Sequence, residues 1–243
     1  DAIVGLSYTQ ACTLVYRNYA KVHDDEARWW GDKNNPFRDH LPTLLSMYPN
    51  ARFVHLIRDG RALLASAQQL ATVASTSSYF PRLPVDVATS AAEWVHGVDK
   101  VTRQLSRLDE RRWCQIRYED LVTDFEVQMT AVCAVLGLDY QPSMRDFDRA
   151  NRDRSLEPVE YDEWKGRTRS PLTADRAHAW KSLLSANDVA LYSSLAAPAL
   201  TRFGYDTPAK RELSPQQRTA FFRQIQTRKM RAFARRVRVR IGR

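Results

Sequence analysis

Two short runs constrain this chain more than anything else in it. Arg52-Phe53-Val54-His55-Leu56-Ile57-Arg58 is almost continuously apolar, and it breaks at Asp59-Gly60 before a run of helix formers, Ala62 to Leu70. Trp113-Cys114-Gln115-Ile116-Arg117-Tyr118 repeats the arrangement, followed by Glu119-Asp120-Leu121 and a helical pattern that reaches Leu136. A strand with one wet face alternates apolar and polar residues, so a continuous run reads as a strand covered on both faces of a parallel sheet. Between the two runs, Val85 to Leu108 reads as one long helix with Trp94 and Val98 on the same face. Strands alternating with helices of this length predict an α/β fold, a sheet with helices on both sides.

The remaining chain supplies more helix. Apolar residues recur at helical spacing from Leu6 to Lys21, a strand edge is expected at Trp29 to Gly31, and Pro36 to Met47 reads as helix stopped by Pro49-Asn50. The charged, aperiodic stretch from Arg145 to Arg169 reads as a long surface loop. Helices resume at Asp175 to Leu184 and at Asn187 to Arg202, the latter closed by Gly204, and a last helix starts at Pro215. A chain of 243 residues, 44% of them hydrophobic, can bury one sizeable core. The expected organisation is one globular domain over residues 1–207 and a C-terminal helix with a basic tail over 208–243.

The formal net charge of +9 is concentrated rather than spread. Residues 228–243 hold eight Arg or Lys and no acid, which leaves the rest near neutral. The overall basicity therefore argues for no specific nucleic-acid partner, because a nucleic-acid footprint is a surface patch and not a chain average. Met230, Phe233, Val237 and Ile241 recur among these arginines at intervals of three to four, as in a helix lying on an anionic membrane surface. Cys12, Cys114 and Cys133 are odd in number and far apart, which fits buried free thiols in a reducing, cytoplasmic compartment better than a disulfide framework or a metal site. No apolar run is long enough to span a bilayer.

The segment Arg58-Asp59-Gly60-Arg61-Ala62-Leu63-Leu64-Ala65-Ser66 carries the chemistry. In open α/β sheets, ligands bind where strands end and the next helix offers unpaired N–H groups. Gly60 lets backbone approach an anion, Arg58 can fork onto a phosphate, and Ser66, two turns into the helix, adds a hydroxyl. Taken alone, an Arg and an Asp at a strand end more often form a surface ion pair.

With Asp32-Lys33, His40, Leu41, Pro42 and Tyr48 to Arg61 in register, the sequence resembles the sulfotransferases that use 3′-phosphoadenosine 5′-phosphosulfate (PAPS), nearest to their bacterial branch and the tyrosylprotein sulfotransferases. Arg117 to Leu121, Cys133 to Leu138, and Ala179-Trp180-Lys181 through Gly204-Tyr205-Asp206 continue the resemblance.

It implies a three-layer parallel sheet flanked by helices, of the P-loop nucleoside triphosphate hydrolase-like kind. Arg58 and Ser66 would hold the 3′-phosphate, Tyr118 would contact the nucleotide, and Lys33 would sit beside the sulfuryl group. Arg167, Arg169 and Ser170 are candidates in a loop over the nucleotide. Sulfuryl transfer needs fixed positive charge where the leaving group and the sulfuryl oxygens become negative, and a base for the acceptor proton.

The family's first strand and its Gly- and Ser/Thr-containing phosphosulfate loop are not recognisable here, so weak or absent activity is expected of the chain as given. Basic residues often precede the tryptophan in related proteins, whereas Ala179 stands here. The acceptor is expected to be a hydroxyl of a carbohydrate, lipid or peptide tyrosine. The alternative is a non-enzymatic anion- or nucleotide-binding module whose basic tail docks on membrane or nucleic acid.

Overall fold

A computed structural model describes residues 5–23, 29–73, 80–154, 169–207 and 210–241. The chain forms two compact units, residues 1–51 and 52–243.

The first unit holds helices α1 (Tyr8–His23) and α2 (Phe37–Met47). Tyr16 of α1 stacks on Trp30 with ring centroids 4.0 Å apart, and Trp30 meets Tyr48 edge-on at 5.2 Å. The Tyr16 hydroxyl donates to Asp32, a bond that pushes its own ionisation up to about 12. These aromatic contacts organise residues 29–34, which are neither helix nor strand. The strand edge expected at Trp29 to Gly31 does not form: among the described residues no strand pairs with this segment, and Trp30 instead packs through its ring.

The second unit is built on β1 (Phe53–Ile57) and β2 (Trp113–Arg117), which pair in parallel with Phe53 opposite Trp113 and Ile57 opposite Arg117. Between them run α3 (Gly60–Leu70) and α4 (Val87–Leu105), so the connection is the helical crossover that a parallel pair requires. Asp59 caps α3 by accepting from the Arg61 N–H, and Asp86 caps α4 by accepting from Thr89.

After β2 come α5 (Tyr118–Thr123) and α6 (Phe125–Leu136). The single helix expected here breaks at Asp124, whose φ of −125° and ψ of 54° are not helical. The expected loop after Arg145 contains a helix, α7 (Phe147–Arg154), held in part by an Arg152 to Asp148 ion pair one turn apart.

The chain continues through α8 (Asp175–His178), α9 (Trp180–Leu183), α10 (Ala186–Leu195) and α11 (Ala197–Arg202). Pro198 lies in the first turn of α11, where its missing N–H costs nothing, and this separates α10 from α11. Gly204, at φ +74°, ends α11 as expected. Its N–H bonds to Thr201 and that of Tyr205 to Leu200, satisfying two terminal carbonyls. The last helix is α12 (Pro215–Ile241).

The core forms where α4 meets its neighbours α3, α10 and α12. Fully buried Ala91 and Ala92 keep the α4 surface flat, and Trp94 fills the space toward Phe203 and Tyr205. Ile57, Leu64, Trp180, Tyr192, Leu200 and Phe221 complete this core. The reading of β1 as covered on both faces is only half met, since Val54 and Leu56 stay 40% and 49% exposed. Ile116, opposite Leu56 in the register, is buried, so that face is covered over β2 and open over β1.

Candidate nucleotide site

The site grows from the turn after β1. The Arg58 carbonyl accepts from the Trp94 indole at 2.9 Å, and the Asp59 N–H donates to Glu119 Oε1 at 3.0 Å. Glu119 Oε2 in turn accepts from the Tyr205 hydroxyl at 3.0 Å. Burial, reinforced by the Glu119 charge, pushes the Tyr205 hydroxyl far above its ordinary range and keeps it a donor.

The ion pair anticipated at this turn exists, but it is buried, and its cation is Arg61. Asp59 accepts from Arg61 Nε at 3.0 Å and Nη2 at 2.7 Å. Arg61, 1% exposed, also donates to Ser193 at 3.2 Å and places its Cζ 4.1 Å from the centre of the Trp180 ring. A buried pair holds when its remaining donors are satisfied, and these contacts satisfy them.

With Asp59 occupied by Arg61, Arg58 turns the other way. Its Cζ lies 4.7 Å from the Tyr118 ring, and its buried Nε has no hydrogen-bond partner. Arg58, Ser66 and Tyr118 line one cavity of about 180 Å3, together with Gln69, Ala179 and Trp180. Ala62, Ala65, Ser66 and Gln69 all face it, the spacing of a single stripe on α3. Trp180, 5% exposed, also leaves its indole Nε1 buried without an acceptor. Arg58 and Trp180, which both line this cavity, thus each carry a buried N–H without an acceptor, a costly arrangement in the free protein. The chemistry fits an anion flanked by an aromatic or heterocyclic group.

The other described candidates of the second unit do not line this cavity. Gly60 is buried but does not line the cavity; a Cβ there would meet the Tyr192 hydroxyl and come within 2.8 Å of two Trp94 ring atoms. Its missing side chain serves packing against these two rings. Lys33 is exposed in the non-helical segment of the first unit. Arg169 is half-buried and its carbonyl accepts from Arg152, while Ser170 is half-buried; neither lines the cavity. Arg167 lies outside the described residues.

Sequence reasoning missed Trp180 and Arg61 as parts of the site, and read Glu119 only as an acid suited to a helix start. The available signal was the small residue Ala179 beside Trp180, both of which line the cavity.

Known proteins resemble this chain in sequence and in fold. The sequence pattern of the sulfotransferase family matches residues 2–142, and the chain belongs to that family. Protein-tyrosine sulfotransferase A of Caenorhabditis elegans is 26% identical over 168 residues, covering 68% of this chain and 42% of that protein. The chain thus spans less than half the length of this curated relative. The sulfotransferase domain from the curacin biosynthetic pathway superposes with a TM-score of 0.54 at 18% identity, over 85% of this chain and 77% of that one. The shared fold mixes helices with a parallel sheet.

Proposed function

We propose that this chain acts as a PAPS-dependent sulfotransferase on a hydroxyl acceptor, with the cavity beside Arg58 holding the 3′-phosphate end of the nucleotide. The observation that carries this reading is the pair of buried, unpartnered N–H donors, Arg58 Nε and Trp180 Nε1, on residues that share one cavity wall with Ser66 and Tyr118. PAPS supplies an activated sulfuryl group on a phosphate leaving oxygen. Arg58 and Ser66 bind and orient the anion, and the Tyr118 ring, already under the guanidinium, limits where the adenine can lie. Lys33 is assigned the charge beside the transferring group through the family resemblance. Arg167, Arg169 and Ser170 are assigned to a segment closing over the nucleotide on the same ground.

The name of the curated relative supports peptide tyrosine as the acceptor ahead of carbohydrate or lipid. Three unpaired cysteines support a reducing compartment, the cytoplasm. Among the described residues no helix is long and apolar enough to cross a membrane.

The test is a thermal shift with adenosine 3′,5′-bisphosphate. The nucleotide should raise the melting temperature of the wild-type chain, and Arg58→Ala should abolish the rise without abolishing the fold. An equal rise in both proteins, or none in the wild type, rejects the proposal.

A further inference from the structure

We infer that the C-terminal half of α12 is a docking element for an anionic lipid surface. The inference is independent of the nucleotide site. The first turns of α12 are fixed to the second unit: Phe221 is buried in the main core, Ile225 packs against that core, and Gln224 donates to Thr89 of α4 at 3.3 Å. Helix then continues to Ile241.

Along this helix a second apolar stripe appears beside the core arc, to which Ala232 and Val239 still belong. At about 100° per residue, Phe222, Met230, Phe233, Val237 and Ile241 fall within one arc of about 100°, roughly 130° around from the arc of Phe221 and Ile225. Phe222 and Met230 are 62% and 70% exposed, so the stripe begins in water and is distinct from the core face. Gln226 falls inside the arc, and Arg223 and Arg240 at its two edges.

The charge decides what covers this stripe. Residues 228–243 carry eight Arg or Lys and no Asp or Glu, so a second copy of this helix is repelled and an anionic surface is attracted. A nucleic acid would satisfy the cations and leave the apolar stripe wet. A lipid interface takes both, because arginine stems extend past apolar surface to reach headgroups while the stripe enters the acyl boundary.

The experiment is co-sedimentation of the full chain with phosphatidylcholine vesicles, with and without phosphatidylserine. Binding is expected only to vesicles that contain phosphatidylserine, weakening as salt is raised. Arg235→Glu with Arg236→Glu should lower the partition coefficient roughly tenfold or more, and Phe233→Ser with Val237→Ser should lower it by a similar factor. Melting curves matching the wild type establish that both variants are folded. The inference is overturned if the wild type ignores anionic vesicles. It is also overturned if the serine pair binds as well as wild type, or if single-stranded RNA competes the protein off the vesicles completely; these results mark a simple polyanion site.

Discussion

The guanidinium of Arg61 sits over the indole of Trp180, 4.1 Å from the ring centre, while its nitrogens are committed to Asp59 and Ser193. This one contact connects the turn after β1 to the wall of the cavity beside Arg58, 119 residues further along the chain. It also explains why Arg58 is available to a ligand: the acid next to it already has a partner. A surface pair between Arg58 and Asp59 would have left the cavity without its cation.

Removing Arg61 should therefore be a stability lesion before it is a binding one. Arg61→Ala leaves the Asp59 carboxylate buried without its counter-ion, a change that typically costs about 3–5 kcal/mol. Urea denaturation should show a large fall in midpoint, and the double variant Asp59→Asn with Arg61→Met should recover part of it. A midpoint within error of wild type for Arg61→Ala means that the pair is hydrated in solution.

Gly60 offers a separate check on why a glycine stands in the turn. Gly60→Ala drives a methyl group into Tyr192 and Trp94, and overpacking of this kind costs about 1–3 kcal/mol. If packing is the reason, truncating the hydroxyl in Tyr192→Phe should restore part of the lost stability. If the glycine instead serves a bound anion, stability without nucleotide should hold and nucleotide affinity alone should drop.

For Trp180 the ring and the N–H can be separated. Trp180→Phe keeps an aromatic face over Arg61 and removes the unpartnered donor. Affinity for adenosine 3′,5′-bisphosphate, measured by calorimetry, should fall roughly three- to tenfold, the worth of about one hydrogen bond. The melting temperature of the free protein should not fall in step, since the donor is unsatisfied there. Unchanged affinity shows that the indole N–H has no role in binding.

His55 gives the chain a pH dependence of defined sign. Burial in the strand holds its protonation down at about 4, below the ordinary 6.5, with Gln115 on the neighbouring strand pulling weakly the other way. Between pH 6.5 and 4 the unfolded chain takes up a proton at this site that the folded chain does not. Stability is thus fully present above this window and is lost as pH falls through it, by roughly 3 kcal/mol from this residue. The difference in unfolding free energy between wild type and His55→Gln, measured at pH 7 and pH 4.5, isolates the effect; a difference independent of pH shows that His55 is not the group responsible.

Much of the architecture was written locally. Both strands, the long α4, the turn at Asp59-Gly60 and the glycine that closes α11 follow from apolar spacing, capping residues and backbone freedom, which act over a few neighbouring positions. The same local signals placed Arg58 at a strand end and Ser66 two turns into the helix that follows. They failed where a side chain outside the window took charge: Trp30 packing by its ring removed the expected strand edge, and Val54 and Leu56 remain partly open despite an apolar run.

By itself, then, the amino-acid order determined where strands end and where a tight turn leads into a helix, because those outcomes depend on neighbours in the chain. Only the tertiary structure decided that Asp59 pairs with Arg61, that Glu119 holds the turn from 60 positions away, and that Ser193 reaches Arg61 from 132 positions away. Which donor is left for a ligand depends on which others are already satisfied, and that is settled when segments distant in sequence close around the same buried charges.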